Sequence, residues 1–318
     1  MKNSQIPLKE ATRLEILTLM DNYVDVLLRG SETVIRPPLA KEGTIPADAL
    51  LAEHGLSLLI TVHDGDEKHT LLFDTGYSAV GVPHNMKILQ VDPGRIEALV
   101  LSHGHMDHTG ALHPVLAQIA QPVPLVLHPG AFHYPRYFGL EDGRKLLFPK
   151  TLDRKALENH GAQIRESKDP VLLADNMVAV TGEVERVTPF EKGLPNALME
   201  QNGELVKDPI ADDMGLVIHL KGKGLMVISG CSHSGIINTT LHAMKITGVG
   251  KVHGVLGGFH LSGPAFEPVI EETIAELKKL RPHLVVPMHC TGWHAIQRFS
   301  EEFPTAFVLN SVGTTFIL

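Results

Sequence analysis

The sequence predicts an α/β protein of mixed, α+β-type sheets, stacked as a sandwich in one domain spanning residues 1–318. Three observations carry this. Short apolar runs of strand length alternate with helical patterns along the whole chain. The second half repeats the style of the first, with no linker, low-complexity segment or short-period repeat between them. Several apolar runs end abruptly in histidine, aspartate or cysteine, as buried strands do where they reach a crevice.

The elements follow in order. "RLEILTLM" reads as a first strand ending at Asp21-Asn22. Residues 29–55 hold Pro37-Pro38, Gly43 and Pro46 and read as a long, flap-like loop. "LSLLITVHDGDEKHTLLFDTG" is two β runs around "DGDE", a hairpin. "IEALVLS" is a buried strand, followed by a histidine-rich turn and a helix through Ala120. "VPLVLH" is a further strand. Residues 129–170 read as an irregular insertion, with "YPRYFG" and "EDGRK" as loops. "MGLVIHL" and "GLMVISG" pair around "KGKG". A helix at "GIINTTLHAMKITG", a strand at "KVHGVLGG", a helix at "FEPVIEETIAELKKL" and a strand at "HLVVPMH" complete the series. "TAFVLNSVGTTFIL" reads as two short closing strands.

Composition narrows the function. The net charge is −8 with no long basic run, which argues against nucleic acid as a partner. No apolar stretch is long enough for a membrane span, and the N-terminus lacks a signal core, so a cytoplasmic protein is expected. Cys231 and Cys290 are too few for a disulfide scaffold, and both stand beside histidines. Histidine is the outlier, with 19 residues, many at the ends of apolar runs.

The densest group is "LSHGHMDHTGAL", with His103, His105, Asp107 and His108 at the end of a strand. Imidazole and carboxylate are the donors expected for Zn²⁺, and also suit Fe or Mn. His103 and His105 alternate on an extended turn and can aim at one ion. Asp107 and His108 follow the bend toward a second. The bland alternative is a set of solvated turn histidines with Asp107 as a helix cap. Three later strand ends add candidates: Cys231 and His233 in "MVISGCSHSG", His260 in "GVLGGFHLSG", and His289 in "LVVPMHCTG".

On these stretches the chain resembles the metallo-β-lactamase fold superfamily over nearly its whole length. "LLFDTG", "SHGHMDHTGAL" and "PMHCTG" carry the likeness. The resemblance implies a four-layer αββα sandwich built from two similar halves, with a two-metal site at one edge. It makes His103, His105, Asp107, His108 and His289 metal ligands. Asp74 becomes a carboxylate that orients a ligand histidine. "LTLMDN", "AEHGLSLLI", "TGEVERVTPFE", "ISGCSHSGIINT" and "GGFHL" narrow the likeness to one branch. That branch is named for 7,8-dihydropterin-6-methyl-4-(β-D-ribofuranosyl)aminobenzene-5′-phosphate synthase.

There are departures. The family's third metal histidine, counted back from "SGC", falls on Asp212-Asp213, and Cys231 stands where most members place a bridging aspartate. His233 is therefore expected to supply the missing imidazole, with Cys231 and Asp213 as further candidate ligands.

The resemblance implies two divalent ions, with zinc first, and a metal-bound hydroxide that attacks a small ester, lactone or phosphodiester. Asp107 would orient or deprotonate the attacking water. His260 would stabilise an oxyanion or bind substrate. His54 beside the loop and Arg136, Arg144 and Lys150 in the middle region are candidates for gripping a phosphorylated or pterin-like small molecule. Two other readings stand beside hydrolysis: a dihydropterin-type transferase, and a non-hydrolytic metal- or ligand-binding protein.

Overall fold

A computed structural model describes residues 5–40 and 42–318. Two large mixed sheets lie face to face. The first runs, edge to edge, Ala162–Glu166, Val123–Leu127, Ala98–Val100, Glu67–Phe73, Ser57–Asp64, Arg13–Met20, Thr315–Ile317 and Val34–Ile35. The second runs Val171–Leu173, Val178–Val180, Gly215–Leu220, Gly224–Ser229, Val252–Gly258 and Leu284–Met288. Each half of the chain thus builds mainly one sheet. The ends cross over: Thr315–Ile317 joins the first sheet beside Arg13–Met20, and Glu10–Ala11 pairs with Gly215–Leu220 in the second.

Strand periodicity explains the four layers. Successive side chains point to opposite faces of a sheet. Leu71 and Phe73 enter the core between the sheets, while Leu72 turns to the outer helices. Leu216 and Ile218 likewise face the central core, and Val217 faces outward. The outer cores are covered by Gly81–Ile88 and Leu112–Leu116 on one side, and by Ile236–Thr247, Ile270–Leu280 and Trp293–Glu302 on the other. The result is the expected αββα sandwich. No helix among the described residues is long and apolar enough to cross a membrane.

The structure departs from the expected elements in three places. The helix after the histidine turn is two short pieces, Met106–Thr109 and Leu112–Leu116. The break falls at Gly110, where a Cβ would stand 1.6 Å from the Tyr77 carbonyl oxygen. The stretch 129–170 is not irregular. It holds the strands Arg136–Gly139, Lys145–Leu147 and Ala162–Glu166 and the helix Arg154–Asn159. The first two strands join Ala197–Gln201 and Glu204–Lys207 in a small third sheet. The closing stretch has one strand, Thr315–Ile317, and Phe307 makes only a single bridge to Val285. Within 29–55 the regular element is Val34–Ile35, and Lys41 lies outside the described residues.

Strand direction positions the site. Glu67–Phe73, Ala98–Val100 and Val123–Leu127 are parallel, as are Gly224–Ser229, Val252–Gly258 and Leu284–Met288. Their carboxyl ends deliver Asp74, His103, Cys231, His260 and His289, and this is where open α/β sheets bind ligands.

Candidate metal centre

Three of these strand-end residues, and Ser232 beside Cys231, have left-handed backbones that side chains rarely adopt: Asp74 (φ 59°), His260 (φ 45°), His289 (φ 51°) and Ser232 (φ 56°). Such strain persists only where the surroundings over-determine it, and it clusters at functional sites. Close approach matters too. A Cβ on Gly230 would stand 2.1 Å from Ser102 Oγ, so only glycine lets these two strand ends meet.

The side chains gather in two nests. His103, His105 and His233 form one, and Asp107, His108, Cys231 and His289 form the other. Cys231 and His233 also form a group with His260. In the first nest His233 Nε2 lies 3.2 Å from His105 Nδ1, and Nε2 of His103 is buried without a hydrogen-bond partner among the described residues. In the second, Cys231 Sγ is 3.1 Å from His108 Nε2 and 3.4 Å from His289 Nε2. Asp107 Oδ2 is 3.3 Å from His289 Nε2 and 3.8 Å from His108 Nε2. Donors about 2.0–2.3 Å from a tetrahedral zinc ion stand roughly 3.3–3.7 Å apart. The spacing is close to that range, and the donor types suit divalent ions.

Carboxylates behind the donors set their orientation. Asp74 is fully buried, and its Oδ2 lies 2.6 Å from His108 Nδ1. Asp74 also accepts from the Ser102 N–H and the Ser102 hydroxyl, each at 2.7 Å. With its proton spent on Asp74, Ser102 Oγ is an acceptor for His103 Nδ1 at 2.9 Å. One carboxylate thus places a proton on Nδ1 of two histidines and leaves both Nε2 atoms free to bind metal. Asp212 Oδ2 accepts from the Gly104 N–H at 2.9 Å and holds the turn itself. Asp21 Oδ1 accepts from the His289 N–H at 2.8 Å.

Electrostatics leave the three imidazoles of the first nest with free lone pairs. Burial pushes His103 and His233 well below the usual histidine range and His105 to about 4, so all three imidazoles are neutral. Burial also opposes charge on His108, but Asp74 and Asp107 raise it to about 9, so its Nε2 carries a proton that a bound cation would have to displace. Burial alone would raise Asp107, yet His108 and His289 hold it well below the usual carboxylate range. Burial pushes the Cys231 thiol up, so a cation is needed to ionise it.

Most residues expected at the site converge on it. His54 joins them, with Nε2 3.6 Å from Asp107 Oδ2. Asp213 does not. Its Oδ2 accepts from the Ser234 N–H at 2.8 Å, and it belongs to neither nest. Arg136 is not at an open face either. It is buried, with Nη2 2.6 Å from Asp212 Oδ1 and Nε 3.1 Å from Asp208 Oδ2, so two carboxylates neutralise its charge. Arg144 and Lys150 pair with Asp142 and Asp153 at the surface. The sequence reading missed Asp21, Asn22, Ser102 and Asp212. Asp21-Asn22 closes the first strand, the same strand-end position that singled out the others.

Two cavities open beside the donors. One, of about 440 Å³, is lined by Phe190, Glu191, Lys192, His233, His260 and Phe266. The other, of about 640 Å³, is lined by Phe138, Leu140, Leu194, His260 and Phe266. They share His260 and Phe266.

Comparison with known proteins adds to this geometry. The sequence profile of the metallo-beta-lactamase superfamily matches residues 52–235. The chain is 38% identical over 261 residues to the 7,8-dihydropterin-6-methyl-4-(beta-D-ribofuranosyl)-aminobenzene-5'-phosphate synthase of Methanocaldococcus jannaschii, covering 80% of this chain and 87% of the relative. It is 32% identical over 266 residues to an uncharacterized protein of the same organism, covering 82% and 92%. A crystal structure of a metal-dependent hydrolase of the beta-lactamase superfamily matches with a TM-score of 0.70 at 25% identity, covering 95% of this chain and 98% of the other. A diphosphatase of the PhnP family shares the fold, with a TM-score of 0.51 at 12% identity over 96% and 97% of the chains.

Proposed function

The chain belongs to the metallo-beta-lactamase superfamily, and on that premise we propose an enzyme that holds two divalent ions, zinc foremost, and acts on a phosphorylated, pterin-like small molecule. One observation carries the reading: seven donors from three strand ends, split into two nests with the spacing of metal ligands. Bound ions would supply Lewis acidity and offset charge that develops on a reacting oxygen.

The residues divide the remaining work. Asp107 Oδ2, lying among His54, His108 and His289, is the acceptor that orients a reactant proton. His260 stands at the junction of the two cavities and meets whatever bridges them. The apolar walls around Phe138, Phe190 and Phe266 suit flat rings, and Lys192 at the rim suits a phosphate.

Two adjoining cavities support a reaction between two organic molecules, and the 38% identity to a synthase supports the same. Transfer is therefore the favoured reading. Hydrolysis of an ester, lactone or phosphodiester is the second reading, supported by the likeness to a metal-dependent hydrolase. The test incubates zinc-loaded protein with a dihydropterin pyrophosphate, with and without an aminobenzene ribosyl phosphate. A coupled product that requires both reactants supports transfer. Pyrophosphate release at the same rate with either mixture supports hydrolysis. No turnover of these or of ester, lactone and phosphodiester panels would remove the enzymatic reading.

A further inference from the structure

The strand Arg13–Met20 runs into Asp21-Asn22 at the lip of the site. The Asn22 side chain makes three contacts there. Nδ2 lies 3.1 Å from the His289 carbonyl oxygen and 3.1 Å from His54 Nδ1. Oδ1 lies 3.2 Å from His289 Nδ1. A backbone carbonyl can only accept, so the atom that faces it must be the amide NH₂. That single contact fixes which way the amide points, and both ring assignments follow from it.

Oδ1 can only accept, so His289 Nδ1 carries the proton and His289 Nε2 presents a lone pair. That lone pair faces Asp107 Oδ2 at 3.3 Å and Cys231 Sγ at 3.4 Å, inside the second nest. The second Nδ2 proton goes to His54 Nδ1, which must therefore be bare. In a neutral ring the proton then sits on Nε2. His54 Nε2 is 3.6 Å from Asp107 Oδ2, and its side chain is 61% exposed against 10% for Asp107. An incoming reactant meets His54 before it meets Asp107.

We infer that Asn22 is a positioning residue that sets opposite tautomers on His289 and His54, making His289 a metal donor through Nε2 and His54 a hydrogen-bond donor to an anionic oxygen of the substrate. A neutral His54 with its proton on Nε2 has no lone pair on the substrate side, so it donates there and does not act as a base. The substrate half of this inference rests on the reading of the site as an enzyme for phosphorylated molecules. The tautomer half does not.

The test is ¹⁵N-histidine NMR of the full, zinc-loaded chain at pH 8, where an ordinary imidazole is neutral. The wild type should show a proton on Nε2 of His54 and on Nδ1 of His289. In Asn22→Asp the carboxylate still accepts from His289 Nδ1 but cannot donate to His54, so the His54 proton should move to Nδ1 while His289 keeps its form. Asn22→Ala should release both rings and weaken binding of one zinc ion by about 10- to 100-fold. A wild-type His54 with its proton on Nδ1, or a His289 with a bare Nδ1, overturns the inference whatever the variants do. Inorganic phosphate should shift the wild-type His54 Nε2 resonance. If it binds without doing so, the donor role falls. Absence of turnover in the coupling assay would leave the tautomer result untouched.

Discussion

Asp74 Oδ2 lies 2.6 Å from Nδ1 of His108 and receives the Ser102 hydroxyl at 2.7 Å, so one buried carboxylate orients two histidines of different nests. Asp74→Asn should keep the fold, because asparagine tolerates the left-handed backbone there. It should still weaken metal binding about 10- to 100-fold by misorienting the rings. Asp74→Ala should also lose stability, since buried donors left unpaired cost about 1–3 kcal/mol each. Zinc titration against a competing chelator, beside urea unfolding, separates the two effects.

The two nests predict stoichiometry. Elemental analysis of protein purified without chelator should find close to two ions per chain, and His105→Ala and His108→Ala should each lose a different one. Cobalt-substituted protein should show a sulfur-to-metal band in the near ultraviolet that vanishes in Cys231→Ser. The band should survive in Cys290→Ser, because Cys290 belongs to neither nest. A band that persists without Cys231 would remove it from the ligands.

Arg136 is expected to act on stability. It pairs in the interior with Asp208 and with Asp212, and Asp212 in turn holds the Gly104 N–H at 2.9 Å. Arg136→Ala strands two buried carboxylates, and breaking such a pair costs about 3–5 kcal/mol. Urea midpoints should fall accordingly. A variant that folds normally and only raises KM would return Arg136 to substrate binding.

Glu191 should make stability depend on pH. Burial is the main cause that raises it from 4.5 to about 7, against the Ile237 and Asn238 N–H groups that favour its charge. The folded protein therefore keeps a proton that the unfolded chain releases above 4.5. The stability from this group is full below that pH and is lost as pH rises through about 7. The Tm of the wild type minus that of Glu191→Gln should fall between about pH 5 and 8, then level off. A difference that stays flat over that range would show that Glu191 is charged throughout.

The sequence by itself determined the class of the fold and the kind of chemistry. Apolar runs with period two, the turn at Gly65-Asp66 and the strand-end pattern from His103 to His108 are local, and local sterics read the same in any context. Tertiary structure decided what holds that chemistry in place. Arg136–Gly139 became a strand by pairing with Ala197–Gln201, about sixty residues on, which no local periodicity records. Arg136 read as a candidate grip for a substrate phosphate and is instead held between Asp208 and Asp212. Asn22 and His54 meet His289 from 267 and 235 positions away, as the numbering gives. The tautomer of a ring depends on which donor or acceptor reaches its second nitrogen, and only the folded chain brings that partner within hydrogen-bond range.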